Sequence, residues 1–295
     1  MKLEIKNLSK TYGNGLKALD DISLDIETGM FGLLGPNGAG KSSMMRTIAT
    51  LQDPDNGRIH LDGEDVLANQ LTLRKTLGYL PQEFGVYPKI SAQELLHYFA
   101  TLKGITDKKE RKELVARLLE ITNLTDARRK AVSTYSGGMK QRFGIAQMLL
   151  NDPELIIVDE PTAGLDPAER RRFLNVLREI GQDHIVIFST HIVEDVQELC
   201  NDMAIMNQGR ILHRSAPMDA VESIRGAVWS ATVPRDEIEQ RQLDFQVLST
   251  SYNPDNSINL RVYSSTQPAG TFVDEAPQLQ DVYFAYLNGF IQGAA

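Results

Sequence analysis

Cysteine and long apolar runs are scarce in this chain of 295 residues, and each shortage excludes a class of protein. The one cysteine, Cys200, excludes an internal disulfide and fits a reducing compartment, where we expect a small, at least half-buried side chain. No run of about 18 apolar residues is present, so the sequence predicts no membrane span. The opening segment MKLEIKNLSK also lacks the apolar core of a signal peptide. We therefore expect a soluble chain inside the cell.

Positive charge is in short supply as well. The formal net charge is -8 at pH 7, whereas general nucleic-acid binding favours a basic surface, so we expect no nucleic-acid partner. The chain is 42% hydrophobic and 24% charged, which suffices for one large α/β domain and a smaller addition. No internal repeat or low-complexity tract appears.

A glycine-rich segment is the first positive signal. Residues 35–42 read GPNGAGKS and fit the pattern G-x-x-x-x-G-K-[ST], between an apolar run at 31–34 and a helix-like run at 42–50. The glycines let the backbone curl so that its N–H groups point at an anion, in front of the positive end of a helix. Lys41 can then reach the terminal phosphates of a nucleotide, and the Ser42 hydroxyl can ligate Mg²⁺. A glycine-rich turn that matches by accident is the alternative.

Two carboxylates follow a second apolar run. Residues 155–161 read LIIVDEP, which suits a buried parallel strand that delivers acids at its C-terminal edge. Asp159 would hold Mg²⁺, a hard cation that prefers oxygen ligands. Glu160 is our candidate for the base that orients and deprotonates the attacking water. A solvated pair of acids at a strand end is the alternative.

A histidine occupies the equivalent place after a third run. Residues 184–190 read HIVIFST, and His191 follows them. A neighbouring strand edge would bring its imidazole near the terminal phosphate. A lone histidine after a strand is otherwise a surface or capping residue.

The segment YSGGMKQR at 135–142 predicts a second phosphate-binding element. Ser136 can cap the helical run at 139–150, while Gly137 and Gly138 leave backbone N–H groups free to receive a γ-phosphate. An ordinary capped helix is the alternative.

The order of these motifs resembles the nucleotide-binding subunit of an ATP-binding cassette (ABC) transporter, over roughly residues 1–215. The resemblance implies ATP and Mg²⁺ as cofactors, and three catalytic residues, Lys41, Glu160 and His191. It implies Mg²⁺ ligands at Ser42, Gln82 and Asp159. Tyr12, in the segment KTYG, would stack on adenine. The implied nucleotide contacts also include Gly35, Pro36, Asn37, Gly38, Ala39, Gly40, Lys41, Ser42, Ser43, Gln82, Ser136, Gly137, Gly138 and Asp166.

The same resemblance implies partners. Each ATP would lie between the phosphate loop of one protomer and the SGG signature of the other, in a homodimer. Permease subunits on separate chains would cross the membrane, with this chain bound peripherally at its cytoplasmic face. The signature departs from the common wording LSGGQ at Tyr135 and Met139. Met139, followed by Lys140 and Arg142, is similar to the type-2 exporter branch, as is the later segment LQDVYFAYLNG.

Other classes share parts of this pattern. Importer ATPases have the same core. Non-transport ABC ATPases of translation carry two cassettes, and those of DNA repair carry a long coiled coil, for which the segment between Lys41 and Ser136 is too short. A catalytically dead scaffold is disfavoured because Lys41, Asp159, Glu160 and His191 are all present.

The expected fold class is α/β: a P-loop ATPase core with an antiparallel β subdomain and an inserted helical subdomain, plus a small C-terminal α+β domain. Period-two patterns at 3–8 and 18–26 predict the antiparallel strands. A helical period predicts the insertion at about 83–150, opened by the capping box Ser91 to Glu94, with Gln82 and the loop 83–88 as its hinge. By the resemblance, a groove beside it would receive the membrane subunit.

We predict that residues 1–217 form the nucleotide-binding domain. Residues 218–295 would form an accessory or dimerisation domain, with strands at 227–233, 245–252 and 258–263 and a helix at 279–290. We expect a fragment cut at about Ser215 to bind ATP.

Overall fold

The structure is a computed structural model that describes residues 1–82, 85 and 87–292. Positions 83, 84 and 86 of the predicted hinge loop lie outside the described residues. Within those ranges, no helix has both the length and the apolar character needed to cross a membrane.

The described residues form three sheets. The first is antiparallel, in the order β2-β1-β4-β5, and contains β1 (Lys2–Thr11), β2 (Lys17–Glu27), β4 (Asn56–Leu61) and β5 (Glu64–Asp65). The second has six strands in the order β10-β9-β3-β8-β7-β6: β3 (Gly29–Leu34), β6 (Leu77–Leu80), β7 (Leu155–Asp159), β8 (Ile185–Thr190), β9 (Asp202–Asn207) and β10 (Arg210–Ser215). The third has the order β12-β13-β11-β14: β11 (Val228–Val233), β12 (Gln246–Tyr252), β13 (Ile258–Tyr263) and β14 (Val273–Asp274).

The helices lie between and around these sheets. Their bounds are α1 (Lys41–Ile48), α2 (Gln70–Thr76), α3 (Ala92–Leu102), α4 (Lys108–Ile121), α5 (Gly137–Met148), α6 (Pro167–Ile180), α7 (Val193–Leu199), α8 (Pro217–Ser223), α9 (Ile238–Asp244) and α10 (Leu279–Leu287). Short 3-10 turns occur at Thr125–Ala127, Val132–Thr134, Leu149–Asn151 and Arg235–Glu237.

The second sheet positions the site. In it β3, β6, β7, β8 and β9 run parallel, and only β10 runs antiparallel to its neighbour. Every residue of β7 and β8 is buried, as expected for strands covered on both faces. The register sets Leu34 opposite Thr190 and Asp159 opposite Ser189, so β3, β7 and β8 end at one edge.

The inserted helices also follow the sequence pattern. Ser91 and Glu94 form the predicted capping box at the start of α3, and Asp107 caps α4. Buried apolar residues of α3, α4 and α5, among them Leu96, Leu119 and Phe143, form a separate cluster. The predicted α/β class, with its antiparallel and helical additions to the core, is confirmed.

The region after residue 217 contains elements that its pattern did not predict, among them the helices α8 and α9. Its sheet has a fourth strand, β14, whose two residues pair with β11 and are too few for an alternating pattern. Its helix α10 packs against α7 and β9 as well as against β12. Leu34, Val196 and Ile205 therefore share one buried cluster with Leu279 and Val282.

Candidate functional site

The phosphate-loop segment joins β3 to α1. Gly40 occupies the N-cap position of α1 with φ 109°, and no side chain caps this helix end. A Cβ on Gly40 would collide with the backbone carbonyl of Ala18, and one on Gly35 with that of Met206. The uncapped N-terminus and the close backbone approaches fit a loop that binds phosphate through its N–H groups.

Lys41 points back over this loop. Its side chain is 4% exposed. Its Nζ donates to Gly35 O at 2.7 Å and to Pro36 O at 3.1 Å, and it forms an ion pair with Glu160 Oε1 at 3.1 Å. The ammonium thus links the loop to Glu160, the residue directly after β7.

The edge of β7 and β8 holds both predicted acids. Ser189 Oγ donates to Asp159 Oδ1 at 2.7 Å and accepts from Glu160 N at 3.1 Å. Glu160 has φ 45°, a left-handed conformation that turns its side chain away from the strand. Its Oε2 lies 3.2 Å from His191 Nδ1. Glu160 therefore contacts both Lys41 and His191, while Asp159 lies beside Glu160 and accepts a hydrogen bond from Ser189.

The donor set at this edge fits a magnesium ion. Ser42 is half-buried in the first turn of α1, and Asp159 is buried at the end of β7. Within the described part of the chain, Asp159 Oδ2 has no hydrogen bond, so a carboxylate oxygen remains for a hard cation. Gln82 is exposed and follows β6 at the same edge, since Leu80 pairs with Val158. Burial, with the Asp159 carboxylate nearby, raises the pKa of Tyr79 on β6.

Tyr12 is tied to the first helix by its hydroxyl. It donates to Gln52 Oε1 at 3.0 Å, and Ser43 Oγ lies 2.9 Å away. Gln52 Nε2 donates in turn to Ser43 O at 2.9 Å and to Thr47 Oγ1 at 2.8 Å. The half-buried Tyr12 ring is thus held close to the phosphate-loop helix.

Ser136 and Gly137 are exposed at the start of α5, and Gly138 beside them is buried. Ser136 is the N-cap of α5 and accepts from Met139 N at 3.2 Å, as predicted. Gly138 packs against the Glu169 side chain of α6, which leaves no room for a Cβ. Asp166 caps α6 by accepting from Ala168 N at 3.0 Å and Glu169 N at 2.9 Å. In the described ranges, no hydrogen bond or ion pair joins 136–138 to Lys41, Asp159, Glu160 or His191.

Tyr135 and Met139, the two departures from the signature wording, pack within the helical subdomain. The Tyr135 hydroxyl is buried and donates to Ala127 O at 2.8 Å, and this burial raises its pKa. Met139 packs against the helical cluster. Arg142 is buried and forms an ion pair with Glu169 at 3.0 Å, which joins α5 to α6.

The sequence patterns missed Gln52 and Ser189. Gln52 lies in a loop and matches no motif. Ser189 could have been predicted, because pairing the two apolar runs as parallel strands places it opposite Asp159.

Comparisons with known proteins identify relatives of this chain. The family described as "ABC transporter" matches residues 19–163. "Probable multidrug ABC transporter ATP-binding protein YbhF" of Escherichia coli (strain K12) is 30% identical over 303 residues, which cover 97% of this chain and 52% of YbhF. The chain therefore spans about half the length of that relative.

Two further relatives match over most of their own length. "Uncharacterized ABC transporter ATP-binding protein YxlF" of Bacillus subtilis (strain 168) is 39% identical over 71% of this chain and 69% of YxlF. "Nod factor export ATP-binding protein I" of Burkholderia orbicola (strain AU 1054) is 34% identical over 75% of this chain and 73% of that protein.

A solved structure shares the fold. It is a dimeric, post-hydrolysis state of the ATP-binding cassette MJ0796 with ADP and Pi, 25% identical, with a TM-score of 0.66 over 72% of this chain and 98% of that one. The relatives and the shared fold indicate the same family. This chain belongs to the ATP-binding proteins of ABC transporters, a family of P-loop ATPases.

Proposed function

We propose that this chain hydrolyses MgATP in a homodimer and couples hydrolysis to movement of a separate membrane subunit of an exporter. The observation that carries the proposal is the Glu160 carboxylate, which lies 3.1 Å from Lys41 Nζ and 3.2 Å from His191 Nδ1 at the edge beside Asp159. A base, a cation for phosphate and a histidine thus converge on one place.

The hydrolytic step follows from these neighbours. Glu160 takes a proton from water as the water oxygen attacks the terminal phosphorus, and the bond from that phosphorus to the bridging oxygen breaks, releasing ADP and phosphate. Lys41 stabilises the negative charge of the transferred group, and His191 holds the Glu160 carboxylate and donates towards the phosphate. Ser42, Asp159 and Gln82 would hold Mg²⁺, which neutralises phosphate charge when bound.

Nucleotide binding uses the remaining predicted residues. The N–H groups of Asn37, Gly38, Gly40, Lys41, Ser42 and Ser43 surround the phosphates. Gly35, Pro36 and Ala39 shape the same loop, since Gly35 N donates to Thr190 O and Ala39 N donates to Pro36 O. Tyr12, held by Ser43 and Gln52, contacts the adenine ring.

The SGG segment acts on the other protomer of the dimer. Ser136 and Gly137 are exposed at the N-terminus of α5, next to the buried Gly138, and within the described residues none of the three bonds to Lys41 or Glu160. The second protomer brings this N-terminus to the γ-phosphate, with Asp166 near the junction. The dimeric state of the MJ0796 structure supports this assignment.

The domain division and the partners complete the proposal. Residues 1–217 form the nucleotide-binding domain, and 218–295 support the dimer or regulate it. The chain binds permease subunits on separate chains at the cytoplasmic face of the membrane. The descriptions of YbhF, as a probable multidrug ABC transporter protein, and of the Nod factor export protein support export over import. Co-purification of the membrane partner from cells would separate these two directions.

Two substitutions test the catalytic proposal. Glu160→Gln removes the base but keeps the shape, so we expect hydrolysis to fall about a hundredfold or more while MgATP binding persists. Lys41→Ala should instead weaken binding of the triphosphate. Glu113→Gln, on the exposed side of α4, is the matched control and should hydrolyse ATP normally. Wild-type hydrolysis by Glu160→Gln would refute the assignment of the base.

A further inference from the structure

A buried carboxylate lies behind the catalytic edge and belongs to none of the motifs. Asp195, in the first turn of α7, has no exposed surface. Its Oδ2 accepts from Thr162 Oγ1 at 2.7 Å, and its Oδ1 accepts from Arg170 Nε at 2.6 Å. Thr162 is itself 2% exposed.

These two bonds join the segments that carry the catalytic residues. Thr162 lies two residues after Glu160, and Asp195 lies four residues after His191. The bond from Thr162 to Asp195 therefore crosses between the segments that follow β7 and β8. Arg170 adds a third segment, because it lies in the first part of α6, the helix that Asp166 caps.

A buried charge at this place is costly. Desolvation of a carboxylate opposes folding, and a buried ion pair adds little net stability compared with well-packed apolar residues. The Thr162 hydroxyl and the Arg170 guanidinium satisfy the charge, but they do not explain why a charge is there. Directional bonds instead fix geometry, which apolar packing does less well.

The Glu160 backbone needs such a constraint. Its φ of 45° is a left-handed conformation that is unfavourable for a residue other than glycine and persists only where the surrounding structure holds it. The 3.2 Å contact between Glu160 Oε2 and His191 Nδ1 also requires the two segments to keep a fixed separation.

We propose that Asp195 is a positioning residue for ATP hydrolysis: through Thr162 it fixes the Glu160 segment relative to His191, and through Arg170 it fixes both relative to α6. This inference rests on the proposed function of Glu160 and His191. It adds Thr162, Asp195 and Arg170 as residues that act on the reaction without touching the nucleotide.

The test begins with Thr162→Val, which keeps the shape and removes the hydroxyl donor. We expect kcat to fall roughly tenfold, since the hydrogen bond from Thr162 to the charged Asp195 is lost. The Kd for MgATP should change less than about twofold, because Thr162 makes no contact with the nucleotide. Thr162→Ser restores the donor and should recover most of kcat. If Thr162→Val does not fold, Thr162→Ala, which is smaller and also lacks the donor, gives the same comparison.

A double-mutant cycle with His191→Ala identifies the route of the effect. If Asp195 acts by setting the contact between Glu160 and His191, Thr162→Val should lower kcat much less in the His191→Ala background than in the wild type. Thr122→Val is the matched control, because Thr122 is equally buried but lies at the end of α4, where its hydroxyl donates to Leu118 O. We expect it to change stability and not kcat.

Two outcomes would overturn the inference. One is a wild-type kcat for folded Thr162→Val or Thr162→Ala, and the other is an equal loss of kcat in the wild-type and His191→Ala backgrounds. Glu160→Gln is measured in parallel. If Glu160→Gln is inactive and Thr162→Val is fully active, only the positioning role fails, whereas an active Glu160→Gln refutes the proposed function itself.

Discussion

At the scale of single residues, the site depends on backbone conformations that few residue types adopt at low cost. Gly40 opens α1 with φ 109°. Glu160 adopts φ 45° without being glycine, directly after the strand that carries Asp159. One conformation brings N–H groups to the phosphate loop, and the other turns a carboxylate towards Lys41 and His191.

Gly40→Ala tests the first of these conformations. The new Cβ would both adopt a strained φ and meet the backbone carbonyl of Ala18, so we expect the free energy of unfolding to fall by about 1–3 kcal/mol and MgATP binding to weaken. Urea unfolding and nucleotide titration measure the two effects. Gly104→Ala is the control, since Gly104 has φ 93° but its added Cβ would meet no atom within 4 Å. Equal destabilisation in both variants with intact MgATP binding would contradict this interpretation.

Single residues differ in how far the sequence predicts them. The place of Lys41 was predictable from the glycine-rich pattern at 35–42. Those of Asp159, Glu160 and His191 were predictable because each ends or follows an apolar strand pattern, and parallel strands end at a common edge. Gln52 was not predictable, since its partner Tyr12 lies far away in the sequence and only the fold brings them together. The roles assigned to these residues stay predictions until the variants are measured.

At the scale of elements, helices and strands with a strong local sequence pattern were predictable, and those without one were missed. The capping box Ser91 to Glu94 was predicted to open the helical insertion, and α3 begins with it. The helix α9 was missed because none of its residues is buried, so its sequence has no apolar face to detect. The strand β14 was missed because its pairing depends on β11 and not on its own residues.

The contact between β10 and α10 predicts a dependence of stability on pH. His213 stacks on Tyr286 with ring centroids 4.5 Å apart, and its burial lowers its pKa below the ordinary value. The folded chain therefore binds fewer protons at His213 than the unfolded chain does, so the unfolding free energy rises with pH. This contribution is complete above the unfolded pKa, about 6.5, and is lost as pH falls through the lower folded pKa.

His213→Phe keeps an aromatic ring on Tyr286 and cannot titrate. We expect its unfolding free energy to change less between about pH 7.5 and about pH 5 than that of the wild type, as measured by urea unfolding. His97, whose pKa is also lowered by burial, titrates in both proteins and so cancels in the comparison. Parallel pH profiles would show that His213 is not the group responsible.

At the scale of the whole molecule, the cassette and the region after residue 217 share buried surface. The sequence predicted that a fragment cut near Ser215 would bind ATP on its own. Leu34, Val196 and Ile205 share a buried cluster with Leu279 and Val282. We therefore expect the cut to lower the stability of the fragment, because it would uncover apolar side chains of α7 and β9.

Leu279→Ala measures this shared core. Leu279 is fully buried, so we expect the free energy of unfolding to fall by about 2–5 kcal/mol. Leu243→Ala, at a position that is 83% exposed, should change it by less than about 0.5 kcal/mol. If Leu279→Ala lowers the stability of only part of the chain, seen as a separate early transition in urea, the two regions unfold independently.

Dimerisation by nucleotide is the second prediction at this scale. ATP should shift Glu160→Gln from monomer towards dimer, because each triphosphate would contact both chains. Ser136→Arg in the same background should abolish the shift without preventing binding, and Thr72→Arg, an exposed change on α2, should not. Light scattering of ATP-bound protein measures the mass. A mass that does not respond to ATP would count against the shared site.

The packing of α10 also constrains the order in which the chain becomes stable during its synthesis. A ribosome makes β3, α7 and β9 long before α10, so the apolar face that Leu279 and Val282 cover stays open to water while the rest is translated. The nascent cassette therefore carries an exposed hydrophobic face next to its own phosphate loop, since Leu34 precedes Gly35 directly. Slow translation of the last part of the chain should prolong the time for which this face is exposed. Chaperones that bind apolar surfaces would protect the face during that time.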